Sequence, residues 1–119
     1  MTVIDEKAQQ LGTLIGQGEE YRALIRARDA LDGDKELAGK LKRLEQLSME
    51  LQQRLGRGEE PEQAQADEYD GLFGEVQSSV TYQRLVAAQS NFDKVMHHVQ
   101  EQILEGMRQG AQSRIITLS

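Results

Sequence analysis

Apolar residues recur along this chain at the three-and-four spacing of helical faces, in five successive runs. Ile4, Ala8, Leu11, Leu14 and Ile15 mark a first helix over residues 3–17. Gly12 and Gly16 weaken it, each by about 1 kcal/mol relative to Ala. Gly18 reads as a joint, and Glu19 and Glu20 complement the positive dipole end of a second helix over 19–32. That helix runs on Tyr21, Leu24, Ile25, Arg28 and Leu31 and ends at the turn "DGD". Asp34 is suited to cap a third helix over 35–56. Its seam is Leu37, Leu41, Leu44, Ser48, Leu51 and Leu55, a heptad rhythm with one polar slot. "GRGEEP" breaks it, and Pro61 suits the first turn of a fourth helix over 61–77. Tyr69, Leu72, Phe73 and Val76 share one face there. Ser78 or Ser79 can cap a fifth helix over 79–108, whose seam is Leu85, Gln89, Phe92, Met96, Val99 and Ile103. Residues 109–119 lose the pattern and are expected to fray, outside a single helical domain of residues 1–108. The pattern predicts an all-α five-helix bundle with a long antiparallel coiled-coil-like hairpin.

The second and fifth runs repeat one another at an offset of 61 residues: "EEYRALIRARDAL" against "VTYQRLVAAQSNF". Tyr21 falls on Tyr82, Leu24 on Leu85, Ala27 on Ala88 and Leu31 on Phe92. Gly18 and Ser79 occupy equivalent capping positions. Small residues at Ala27 and Ala88 let two helices approach closely, so the segments are expected to dock side by side near one end. Chance similarity between two amphipathic helices is the competing reading.

Composition narrows the core. Of 119 residues, 38% are hydrophobic but only 4% aromatic, with no Trp, which favours thin helix–helix seams over a thick centre. The seams of the third and fifth helices offer more apolar length than one thin monomer can cover, so a homodimer is expected. A net charge of −6 argues against direct nucleic-acid binding, which needs a basic surface. No apolar run nears the length of a membrane span and no leader is evident, so a cytoplasmic protein is expected. Zero cysteines exclude disulfides and thiolate-held metals within the chain. Residues 34–57 hold six bases and four acids, and residues 58–76 hold seven acids and no base. Such a basic helix followed by an acidic one suits an antiparallel pair whose flanks attract, although two independently solvated faces would read the same way.

Catalytic, cofactor and metal sites find no support. His97 and His98 are neighbours and point about 100° apart on a helix, so they do not chelate together. His97 and Glu101 supply at most two ligands where a site needs three or four. The carboxylate pairs Glu19–Glu20 and Glu59–Glu60 sit at helix starts, where dipole compensation accounts for them. Lys40, Lys42 and Arg43 form a basic cluster, the candidate surface for a protein partner. The candidate core and oligomer seam comprises Leu37, Leu41, Leu44, Leu51, Leu55, Leu85, Phe92, Met96, Val99 and Ile103.

The order of these signals resembles the YlbF/YmcA group of small helical bacterial regulatory proteins. "GEEYRALIRARDAL" is similar to its Ser-Glu-Glu-Tyr helix start followed by an alanine. "DGDKELAGKLKRLEQLSMELQQRLGRGEEP" is similar to its acidic turn, long leucine helix and Gly-Glu-Pro break. "SSVTYQRLVAAQSNFDKVMHHVQEQI" is similar to its final helix. The similarity covers residues 4–107. It implies a cytoplasmic all-α protein without enzymatic activity. Members act in complexes that influence competence, sporulation and biofilm decisions, in part through a ribonuclease of messenger RNA turnover. Some members hold iron–sulfur clusters through cysteines, and this chain has none to offer. The expectation is a regulatory adaptor working by helix-mediated protein association. A structural or chaperone-like hairpin of prefoldin type is the alternative.

Overall fold

The computed structural model describes residues 1–118, and the side chains of residues 1–113. Five helices follow one another: α1 (Val3–Gln17), α2 (Glu19–Gly33), α3 (Lys35–Gly56), α4 (Gln63–Gln77) and α5 (Val80–Leu118). No strand occurs among the described residues. Local chemistry sets each boundary. Thr2 and Asp5 form a reciprocal capping box at the start of α1. The Asp34 carboxylate accepts from the Leu37 N–H at 3.1 Å to open α3. Ser79, the expected cap of α5, accepts from the Tyr82 N–H through its hydroxyl.

Gly18 ends α1 and begins α2 in an extended conformation that any residue can adopt. Gly58 is different: its φ of 74° lies in the left-handed region. There the Gly58 N–H donates to the Leu55 carbonyl and the Glu59 N–H to the Arg54 carbonyl, which satisfies the last turn of α3.

Two boundaries differ from the sequence reading. Pro61 lies outside α4, because Glu62 takes the cap position and the helix begins at Gln63. The fifth helix does not stop at 108. It continues to Leu118, and Ser119 lies outside the described residues. Residues 109–113 contain no Pro and a single Gly, so nothing local forces a stop, even though the apolar pattern has ended.

The helices pack in two antiparallel pairs. α3 and α4 form one, with Lys40 near Glu75 at one end and Arg54 near Glu62 at the other. α2 and α5 form the most extensive contact in the molecule. Tyr21 at the start of α2 meets Phe92, ring centroids 5.4 Å apart, while Ala30 at its far end shares a groove with Thr81 and Arg84. α1 continues past α2 along the free half of α5. The whole measures 70 × 37 × 25 Å with a radius of gyration of 21.9 Å, against about 13.5 Å for a compact chain of this length.

So open a shape leaves a small core: among the described residues, Leu24, Leu37, Leu47, Val76 and Ala88 are its buried apolar side chains. Of the ten seam residues expected from the heptads, Leu37 alone is buried. Leu41, Leu44, Leu51, Leu85, Phe92, Met96 and Val99 are half-buried, and Leu55 and Ile103 are exposed. The cause is geometric. α4 has 15 residues against the 22 of α3, and Leu55 lies in the last turn of the longer helix, beyond the partner's reach. Leu47, which the heptad count skipped in favour of Ser48, is fully buried at 0% exposure.

Truncating Leu47→Ala should therefore destabilise the chain by about 2–5 kcal/mol in urea unfolding, whereas Met49→Ala, at an exposed site on the same helix, should stay within about 0.5 kcal/mol. Gly58→Ala should cost about 1–2 kcal/mol, because alanine must hold a left-handed backbone there.

Candidate functional site

Three surfaces carry enough chemistry to matter, and the first is the basic stretch of α3. Lys40 reaches both Glu75 and Glu36 at 3.2 Å, and those carboxylates raise its pKa above the usual lysine value, Glu75 contributing most. Arg43 grips Glu68 with two bonds, at 2.7 and 3.1 Å. That fork raises the Arg43 pKa and holds the Glu68 carboxyl below its ordinary range. Further along, Gln65 donates to Glu50 at 3.0 Å, and Arg54 faces Glu59 and Glu62 across the turn. The basic helix and the acidic helix thus spend much of their charge on each other. Of the three candidate partner residues, the structure leaves Lys42 exposed and without an ion pair among the described residues. Lys40 and Arg43 face α4.

The second surface is the α2–α5 seam. Its floor is made of Ala23, Ala27, Ala30 and Ala88, with Arg26 and Arg84 at the rim, around a groove of about 340 Å³. Arg28 donates to Gln89, its own repeat equivalent, at 3.3 Å. Ala27 and Ala88, also equivalents, line the same groove, so the repeated segments do dock, antiparallel, about a local pseudo-twofold near these residues. Arg26 is held by Glu19 within its own helix.

The third surface was not read from the sequence. Val3, Ile4, Ala8 and Leu11 of α1 face Ile103 of α5 across an apolar groove of about 350 Å³ whose one charged lining residue is Lys7. Leu14, Leu104 and Met107 extend the exposed apolar area around it. The signal was present as the apolar face of the first helix. Nothing in the sequence said that this face would stay open.

His97 pairs with Glu101 at 2.8 Å on an exposed helix face. No group of three or more His, Asp or Glu among the described residues is placed to hold a metal ion. No helix among them is long and apolar enough to cross a membrane. What the geometry defines is an elongated all-helical scaffold. The chain belongs to the YlbF/YmcA family, described as control of the competence regulator ComK, which matches residues 4–108. No curated protein and no solved structure matches it. Membership makes it a protein of a regulatory family.

The Arg43–Glu68 fork has a pH signature. A carboxyl whose folded pKa is depressed contributes stability above its unfolded pKa and loses it as pH falls through the folded value. Acidification from neutral pH to below the ordinary carboxylate range should therefore lower the melting temperature of the wild type. Glu68→Gln should lack that component of the loss, melting slightly below the wild type at pH 7–8 and converging with it in acid. Paired melting curves of the two proteins check this directly.

Proposed function

We propose that this chain is a non-catalytic regulatory adaptor, acting through helix-mediated association with protein partners in the control of competence or a related developmental programme. The observation that carries the reading is the family match across residues 4–108. It is supported by the apolar groove between α1 and α5 and by the exposed side chain of Lys42 on the basic helix. Sporulation, biofilm formation and messenger RNA turnover are the processes such an adaptor would influence, the last by modulating a ribonuclease complex. The chain works in the cytoplasm, as a homodimer.

Lys42 is the side chain of the basic cluster best placed for a partner, since Lys40 and Arg43 are engaged by Glu75 and Glu68. Its charge would steer an acidic partner and set the association rate more than the affinity. Deleting the gene should alter messenger RNA decay or a developmental programme while every metabolic step persists. Affinity capture from the native host should recover a protein partner, and Lys42→Glu should slow its association without changing helicity or melting. A wild-type chain that captures no protein, in a strain whose deletion leaves decay and development unchanged, would sink the adaptor reading.

A further inference from the structure

α1 poses a problem of stability. It has 15 residues, two of them glycines in its interior, and no residue of it is buried. Isolated helices of that length are marginal in water, and each interior glycine lowers the helix further. Helices of this kind are held by burying an apolar face, yet Val3, Ile4 and Leu14 are 70%, 80% and 68% exposed. The wall opposite is equally open: Ile103 and Leu104 are each 50% exposed and Met107 is 63% exposed. α1 touches α2 near the Gly18 joint, but among the described residues it has no close backbone approach to α5, so the two apolar faces flank an open gap.

We propose that a second copy of this chain fills the gap, apolar face against apolar face, so that α1 and the free half of α5 from each copy build a shared helical core. Area and charge both select this occupant. The chain exposes 9158 Å², where a compact monomer of 13.4 kDa would expose about 6,500 Å². The excess, about 2,700 Å², is of the size that the larger obligate interfaces remove, about 1,000–2,500 Å² and upward from each partner. A like copy must also not be repelled. Residues 1–17 and 96–113 carry four acids and two bases, while the remaining stretch, 18–95, carries sixteen acids and eleven bases. The end bearing the groove is thus sparsely charged, with a net charge of −2, a face that an identical face can meet. Because the same patch serves both copies, the interface closes on itself and stops at two.

This deepens the association reading above by naming the self-contact, and it is separable from capture of a foreign partner. The test is the full chain at about 50 µM, measured by light scattering together with amide hydrogen exchange across a dilution series. The wild type should show twice the 13.4 kDa chain mass, and α1 amides should lose protection on dilution before those of α2 and α5. Ile4→Glu and Ile103→Glu, one from each wall, should halve the mass and expose α1 while α2 and α5 stay protected. Val86→Glu, also exposed on α5 but away from the groove, should leave the mass unchanged. A monomeric wild type overturns the proposal, as does a dimer that survives both groove variants. So does loss of protection in α2 and α5 in both variants, which would make the groove part of the monomer's own packing. Partner capture scored on the same variants separates the two ideas: capture by a monomer overturns the self-contact alone, and a dimer that captures nothing counts against the adaptor alone.

Discussion

Where α2 and α5 cross, the side chains are cut down to methyl groups. Ala27 and Ala88 line the same shallow groove there, and Ala88 is buried. Small residues at a crossing let the backbones come close, which lengthens the seam over which larger neighbours pack. Leu24 is buried on one side of that point, and the Tyr21 and Phe92 rings meet at its end. The rest of the molecule is arranged relative to this contact. α3 hangs from α2 through the Asp34 cap, α4 returns along α3, and α1 leaves α2 at Gly18. Most of the chain is therefore one helix away from solvent on every side, which accounts for the small core.

Helix positions were legible because the signals that set them are local. Asp34 and Ser79 act where the sequence placed them, and the Gly-rich break after residue 55 falls where α3 ends. The repeat was legible too, since a shared Tyr and a shared Ala at one offset mark faces of the same kind. Burial was not. Whether Leu47 or Ser48 points at α4 depends on the length and tilt of a partner helix, and a heptad count assumes a partner along the whole seam. Leu55 and Ile103 satisfy the rhythm yet stay 64% and 50% exposed. The apolar groove escaped for the complementary reason. A face of Val3, Ile4 and Leu11 looks the same in sequence whether it is covered or open.

Charge shows how one pattern serves two ends. The excess of bases on α3 and of acids on α4 reads equally as a binding surface or as an internal match, and the geometry spends Lys40, Arg43 and Arg54 on the match. Exposed pairs of this kind add little stability individually. Their larger effect is on register. Lys40 with Glu75 at one end and Arg54 with Glu62 at the other are satisfied together in one alignment of the two helices, and sliding α4 by a turn would part these pairs and the Arg43–Glu68 pair together.

α5 is the one element common to both ends of the molecule. Its 39 residues run unbroken for about 58 Å. Residues 81–92 lie against α2, and Ile103 looks into the groove with α1. Within a continuous helix, distance and rotation are locked to one another, at 1.5 Å and 100° per residue. The eleven residues from Phe92 to Ile103 make close to three full turns, so both side chains emerge on nearly the same side of the rod. A single residue added or lost between them would barely alter the spacing of the two surfaces but would swing one a quarter-turn from the other. The helix is thus a phase-keeper as well as a ruler, and its length between those two points can change only in steps that restore the angle.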